Sequence, residues 1–214
     1  MTIANASAMS LLILAVWLHP GTGAAHDPAQ ESDHTAHGHE VPAEGATTER
    51  SRLSIPDVTV LDQDGKKFRF YSDLVQGKVV AINFIYTTCT TICPVLGATF
   101  ANVQGQMGER SGRDFSLISI SVDPVTDTPP RLKAWAAKFN AKPGWTLVTG
   151  KKPDIDKLLK SLGATTAQKE DHPPLVLIGN DAKGLWTRAY GLMPLTDLIT
   201  DMIEGRVPST PAQK

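Results

Sequence analysis

The sequence predicts an α/β fold with helices on the faces of a sheet, because strand-like and helix-like patterns alternate along the chain. Residues 78–86 (KVVAINFIY) form a nearly continuous apolar run rich in β-branched side chains, which is typical of a strand buried on both faces. Upstream, two short strand-like segments flank the turn residues Asp64 and Gly65 and predict an N-terminal β-hairpin. Downstream, apolar residues recur at the spacing of a buried helix face.

The same two periodicities predict the remaining elements. The predicted strands comprise residues 58–61, 67–70, 78–86, 115–122, 145–148, 175–178 and 185–190. The predicted helices begin at Pro94, Pro129, Pro153 and Pro194. Proline is favoured in the first turn of a helix, and Gly163 is expected to end the third helix because glycine often follows a last turn.

The composition indicates one soluble domain with extensions. Of the 214 residues, 41% are hydrophobic, which can supply one core, and the formal net charge is −1. A chain without a basic field has no means to hold nucleic acid or anionic lipid, so we expect no such partner. We also expect the protein to be a monomer.

The first 50 residues divide into two segments outside the predicted domain. Residues 8–18 are apolar, but they are fewer than the roughly 20 that cross a membrane, and small residues follow them. We therefore predict a signal peptide over residues 1–25, with an uncleaved anchor as the alternative because no Lys or Arg precedes the run. Residues 26–50 contain almost no core-forming side chains and are predicted to be a disordered linker. The predicted domain spans residues 51–208, followed by a tail over 209–214.

The linker carries four histidines, namely His26, His34, His37 and His39. Imidazole suits copper and zinc, so this segment is either a solvated linker, which we favour, or a weak metal-collecting arm.

Cys89 and Cys93 follow the buried strand and precede the helix expected near Pro94. In open α/β sheets the binding crevice lies at this edge, beyond the carboxyl ends of the strands. The positive end of the helix favours the thiolate, which is both the nucleophile and the metal ligand. A structural disulfide is the alternative in an exported protein, but so small a loop would contribute little stability. We therefore assign the pair a functional role.

His172 is the only histidine of the predicted domain, and it lies just before the strand at residues 175–178. A lone histidine is often only a buried polar residue, but this position and the presence of two cysteines favour a ligand. Two thiolates and one imidazole suit Cu(I), whereas a structural zinc site would need a fourth protein ligand. The sequence therefore predicts a metal site formed by Cys89, Cys93 and His172.

Several segments, in the same order, resemble the Sco/SenC family. Residues 83–94 (NFIYTTCTTICP) are similar to its CxxxCP motif. Residues 119–129 (SISVDPVTDTP) are similar to its SVDP…DTP block, and residues 145–150 (WTLVTG) to the segment after the next helix. The pair Asp171-His172 resembles the family's copper-ligand histidine. The resemblance covers about residues 53–205 and is far more specific than CxxxC alone.

The resemblance implies a thioredoxin-like fold, with a central mixed sheet flanked by helices and an added N-terminal β-hairpin. It implies that Cys89, Cys93 and His172 bind copper, as Cu(I) or Cu(II), and that Asp123 is a neighbour of the site. Family members deliver copper to the binuclear centre of cytochrome c oxidase or act as thiol reductants there. The implied partners are thus the copper-centre subunit of the oxidase and, optionally, another copper carrier. The implied location is the periplasm or the outer face of the inner membrane.

Two features depart from the family's pattern. Thr90 and Thr91 stand where the family often has Pro-Asp, which removes a carboxylate from between the cysteines. Pro173 and Pro174 follow the histidine, where a small hydroxyl residue is usual. Thioredoxins keep a cis-proline at the equivalent place, so these prolines, with one of them in the cis form, strengthen the interpretation as a thiol–disulfide oxidoreductase, which still ranks below copper binding.

That oxidoreductase is the main alternative to a copper chaperone, with Cys89 as the attacking thiolate and Cys93 as its resolving partner. A peroxidase of similar fold ranks third, because no proline-led motif precedes Cys89 and no arginine is identifiable as its partner. Asp127 is expected to cap the helix that begins near Pro129. Asp123 either forms a turn or lies beside the site.

Overall fold

The structure, a computed structural model, describes residues 45–49, 53–191 and 193–208, and this part of the chain contains eight strands and four α-helices. The strands are β1 (Gly45–Glu49), β2 (Thr59–Asp62), β3 (Lys67–Arg69), β4 (Val79–Ile85), β5 (Ser116–Ser121), β6 (Trp145–Gly150), β7 (Leu175–Asn180) and β8 (Leu185–Tyr190). The helices are α1 (Ile92–Met107), α2 (Pro129–Ala137), α3 (Lys152–Leu162) and α4 (Leu195–Glu204). A π-helical turn covers Phe70–Val75, and a 3₁₀ turn covers Lys169–Asp171.

All eight strands form one mixed sheet in the order β1-β8-β7-β4-β5-β6-β2-β3. β4, β5 and β6 run parallel, with α1 and α2 in the connections between them. β7 pairs antiparallel with β4 on one side, and the hairpin of β2 and β3 pairs antiparallel with β6 on the other. The predicted α/β class, with a mixed sheet, flanking helices and an N-terminal hairpin, is confirmed.

Side chains of β4 alternate between the two faces of the sheet and enter two hydrophobic cores. Ala81 and Ile85 pack with α1, α2 and α4 in the core that also holds both cysteines. Val80, Ile82 and Phe84 pack with α3 and the π-helical turn in the other core. Burial on both faces explains the continuous apolar run that marks this strand in the sequence.

Some element boundaries differ from those predicted. Helix α1 begins at Ile92 instead of Pro94, so Cys93 lies within its first turn. The second hairpin strand ends at Arg69, because Phe70 begins the π-helical turn and buries its ring. Gly163 ends α3 as predicted, in a left-handed conformation with a φ of 68° that suits glycine.

β1 extends the fold into the last residues of the segment whose composition predicts a linker. Gly45–Glu49 pairs with β8 over its whole length, from Gly45 opposite Tyr190 to Glu49 opposite Trp186. The predicted signal peptide, the rest of the linker and the tail lie outside the described residues. Within the described ranges, no helix is long and apolar enough to cross a membrane.

The antiparallel pairing of β7 with β4 brings distant parts of the sequence to one edge of the sheet. Asn83, near the end of β4, lies opposite Val176, near the start of β7. Residues just after β4 therefore meet residues just before β7. Cys93 and His172 come together in this way although 79 positions separate them.

Candidate metal centre

Cys89 and Cys93 lie at the start of α1. The backbone N–H of Cys93 donates a hydrogen bond to the Sγ of Cys89 over 3.4 Å, and the Thr91 hydroxyl lies 3.7 Å from the same sulfur. Both thiols are free and buried, with 7% of Cys89 and 0% of Cys93 exposed. The helix N-terminus thus directs a backbone donor at Cys89, which is how such a terminus stabilises a thiolate.

His172 approaches the cysteine pair from the 3₁₀ turn that precedes β7. The residue is 5% exposed, and its Nε2 lies 3.5 Å from the Sγ of Cys93. The Tyr86 ring packs edge to face against the imidazole, with 5.7 Å between ring centres. The structure therefore brings Cys93 and His172 into direct contact. Cys89 is connected to them through its hydrogen bond with the backbone N–H of Cys93.

The hydrogen bond made by the Nδ1 of His172 shows which of the two ring nitrogens carries the proton. Nδ1 lies 3.2 Å from the carbonyl oxygen of Pro173, which can only accept a hydrogen bond. Nδ1 therefore carries the proton, and Nε2 presents its lone pair toward Cys93. Burial lowers the pKa of His172, against the opposite effect of the Pro173 hydrogen bond. The imidazole is thus neutral at pH 7, the form that binds a metal.

The two thiols differ strongly in acidity. Burial acts to raise the pKa of Cys89, but hydrogen bonds from Cys93 and Thr91 outweigh it and lower the pKa to about 7. Burial, the hydrogen bond to Cys89 and the charges of Cys89 and Asp127 raise the pKa of Cys93 to about 12. Cys89 is thus the thiol that ionises near neutral pH, whereas Cys93 stays protonated. Thr91 contributes a donor where a carboxylate would add negative charge and disfavour the Cys89 thiolate.

We expect alkylation of the reduced, metal-free protein to separate the two thiols. With a pKa of about 7, Cys89 should react fastest above neutral pH and slow by about tenfold per pH unit below it, as its thiolate is protonated. Cys93 should stay almost unlabelled over the same range, because its raised pKa keeps it protonated. Iodoacetamide labelling read by peptide mass spectrometry measures both rates. Equal rates at the two positions would contradict the assignment.

Asp127 anchors the loop that leads to Cys89. Its buried carboxylate accepts hydrogen bonds from the Thr87 backbone N–H at 3.1 Å and from the Thr87 and Ser121 hydroxyls at 2.6 and 2.7 Å. The prediction that Asp127 caps α2 is wrong, since Thr128 occupies the capping position and its side chain makes no capping hydrogen bond. The anchoring role escaped sequence reasoning because Thr87 lies 40 positions earlier and no local pattern points to it.

Asp123 is connected to the site through Lys169. Its Oδ2 lies 2.7 Å from the Lys169 Nζ, and that ammonium lies 5.3 Å from the centre of the Tyr86 ring, which packs against His172. Asp123 also forms the expected turn, because its carbonyl oxygen accepts hydrogen bonds from the N–H groups of Thr126 and of the residue after it. The sequence gives little reason to assign Lys169 a role, because its one available signal is its position three residues before His172.

Two further features of the site concern its conformation. Peptide bonds in the described residues are all trans, so the expected cis form of Pro173 or Pro174 is not found. Within residues 45–49, 53–191 and 193–208, no three His, Cys, Asp or Glu side chains are already arranged as an ion-binding group. The two thiols and the imidazole suit a soft ion in their chemistry. The Sγ of Cys89 can bind such an ion while still accepting the hydrogen bond from the Cys93 N–H, because a thiolate has more than one lone pair.

Fold and site together define a thioredoxin-like α/β protein with a buried thiol–imidazole centre at the carboxyl end of its central strand. The chain belongs to the SCO1/SenC family, whose sequence profile matches residues 47–181. The matched segment contains both cysteines and His172, so it includes every residue of the predicted ligand set.

Three solved structures show the same fold. A SCO1/SenC family lipoprotein from Bacillus anthracis is 29% identical, with a TM-score of 0.61 over 72% of this chain and 95% of that one. BsSco, a member of the Sco family of cytochrome c oxidase assembly proteins in which a disulfide switch was identified, is 30% identical, with a TM-score of 0.60 over 72% and 93%. ScoI of Bradyrhizobium japonicum, solved with copper bound, is 26% identical, with a TM-score of 0.56 over 68% and 95%.

Proposed function

We propose that this protein is a copper chaperone that binds one Cu(I) through Cys89, Cys93 and His172. The observation that carries the proposal is the 3.5 Å approach of the His172 Nε2 to the Cys93 Sγ. A solved relative, ScoI of Bradyrhizobium japonicum, has copper bound, which supports the choice of ion. The proposed recipient is the copper-centre subunit of cytochrome c oxidase, since the similar BsSco belongs to a family of assembly proteins for that oxidase.

The donor set favours a soft monovalent ion over the common hard cations. Thiolates and imidazole suit Cu(I), whereas Mg²⁺ and Ca²⁺ require oxygen ligands. With a pKa of about 7, Cys89 is about half ionised at pH 7, whereas the raised pKa of Cys93 means that ion binding must displace its proton. Binding should therefore release between about one and two protons per ion at neutral pH and strengthen as the pH rises.

We expect the reduced full-length protein to bind one Cu(I) per chain within the folded domain. A variant in which His26, His34, His37 and His39 are all replaced with alanine should keep this stoichiometry, because the proposed ligands lie in the domain. Competition with a chromogenic Cu(I) chelator, under reducing conditions, measures stoichiometry and affinity together.

The matched comparison is Cys89→Ser with Cys93→Ser in the otherwise unchanged chain, which should lose tight binding. If that double variant binds normally and the histidine variant binds no Cu(I), the N-terminal segment holds the site and the proposal is wrong. The four histidines lie outside the described residues, so only this measurement compares the two segments.

Export is part of the proposal, because an oxidase copper centre is reached from the periplasm or from the outer face of the inner membrane. The apolar residues 8–18, followed by small residues, support a signal peptide or an anchor. The similar Bacillus anthracis protein is described as a lipoprotein, which supports a place at a membrane surface. A second copper carrier would load the chaperone there.

A thiol–disulfide oxidoreductase is the second candidate, favoured by the unequal acidity of the two thiols. In that reaction the Cys89 thiolate attacks a partner disulfide, and a mixed disulfide forms as the first partner thiolate leaves. Cys93 then gives its proton to the released partner thiolate and attacks the Sγ of Cys89, which breaks the bond between Cys89 and the partner's second sulfur. The products are a Cys89–Cys93 disulfide and a partner dithiol, so two electrons pass to the partner. His172 forms no covalent bond in either step.

A further inference from the structure

We propose that the ion pair between Asp123 and Lys169 is a clasp that holds His172 in position for the metal. Both are positioning residues in this proposal, since neither reaches the ion. The proposal rests on the proposed copper site and adds a specific requirement for its assembly. It is carried by a chain of contacts that runs from the loop before Cys89 to the turn before His172.

On the histidine side, Lys169 constrains His172 through both its backbone and its side chain. Its carbonyl oxygen lies 3.5 Å from the His172 backbone nitrogen and closes the 3₁₀ turn. Its ammonium lies over the Tyr86 ring at 5.3 Å, and the same ring packs edge to face on the imidazole. A shift of Lys169 would therefore move the turn and loosen the packing around the ligand nitrogen.

On the cysteine side, Asp123 is held rigidly by the loop after β5. Its Oδ1 accepts a hydrogen bond from the Thr126 N–H at 3.3 Å, and its carbonyl oxygen accepts one from the Asp127 N–H at 2.9 Å. Asp127 in turn binds Thr87, two residues before Cys89. The clasp thus connects the 3₁₀ turn before His172 to the loop that positions Cys89.

Burial distinguishes this ion pair from an ordinary surface pair. The Lys169 and Asp123 side chains are 34% and 13% exposed. By contrast, the Lys152 and Asp156 side chains, joined at the same 2.7 Å separation, are 60% and 51% exposed. A half-buried pair is less screened by water and salt, and it gains additional stabilisation from the aromatic ring beneath the ammonium. The exposed pair therefore serves as a matched control.

The test is Cu(I) affinity in Lys169→Met and Asp123→Asn, with Lys152→Met as the control. Each clasp variant should bind Cu(I) about tenfold more weakly, in the range found when residues that orient a metal ligand are removed. Lys169→Arg should keep most of the affinity because it preserves the charge. The double clasp variant should lose no more than either single one, since both remove the same interaction. Lys152→Met should match the wild type.

A copper-free measurement separates failure of the clasp from failure of the copper site. Modification of His172 by diethyl pyrocarbonate, read at that residue by mass spectrometry, should be severalfold faster in Lys169→Met than in the wild type. Unchanged modification, unchanged Cu(I) affinity, or an equal loss in Lys152→Met would each overturn the clasp. If the wild type bound no Cu(I), the proposed function would fail, and the modification rates alone would decide whether the clasp holds His172.

Discussion

His172→Ala is expected to weaken Cu(I) binding by more than about 100-fold, beyond the usual cost of losing a residue that only orients a ligand. The variant removes one of three donors and leaves two thiols that differ in acidity. Nε2 points its lone pair at Cys93, so the variant removes the nitrogen ligand that faces that sulfur. The affinity is measured by chelator competition. In cells, the proposed copper loading of the oxidase should fall while the amount and location of the protein match those of the wild type.

The same variant separates the two candidate functions. Thiol exchange depends on the thiolate and on the leaving sulfur, so reduction of a model disulfide by His172→Ala should remain close to the wild-type rate. Cys89→Ser should abolish both activities. Normal oxidase activity with His172→Ala but not with Cys89→Ser would move the oxidoreductase to first place. The near-UV circular dichroism spectrum of His172→Ala should be native-like. Loss of the buried ring should lower its free energy of unfolding by about 1–2 kcal/mol.

Asp127→Ala should cost about 3 kcal/mol of unfolding free energy, which is large for a single substitution. It leaves the Thr87 backbone N–H without its described acceptor, and it removes the acceptor of the Thr87 and Ser121 hydroxyls. Denaturant unfolding measures the change. Asp127→Ala should also lower the pKa of Cys93, because the charge of Asp127 is one of the causes that raise this pKa.

Asp127→Asn keeps an acceptor at the same place and should cost about half as much, since its amide oxygen can still serve Thr87. Asp156→Ala removes an exposed carboxylate on α3 and should change stability by less than about 1 kcal/mol. A cost for Asp127→Ala no greater than that of Asp156→Ala would show that the buried hydrogen bonds do not hold the cysteine loop.

What could be predicted from the sequence is what local patterns determine. The apolar run at β4, the prolines at helix starts and Gly163 at the end of α3 each carry their signal within a few residues. The cysteine pair could be placed because it follows such a run. His172 could be nominated because it is the only histidine in the domain.

What could not be predicted depends on contacts between distant positions. Lys169 binds a carboxylate 46 positions earlier, and Asp127 binds a loop 40 positions earlier. β1 has the polar composition of a linker, because an edge strand is paired on one side only and needs few core-forming residues. The unequal acidity of the cysteines likewise depends on burial and on the hydrogen bond from the Cys93 backbone N–H to the Sγ of Cys89.

The pairing of β4 with β7 has a consequence for when the protein could bind the proposed Cu(I). An unfolded chain offers two thiols four positions apart, but its imidazole lies 79 positions beyond Cys93 and joins them only after β7 has paired with β4. Cargo that binds the completed site stabilises the native state by mass action. A newly made molecule must therefore finish folding before it could bind the proposed copper ion with full affinity. If the protein delivers copper as proposed, each delivery would return it to the less stable metal-free form, which unfolds and is proteolysed more readily until copper binds again.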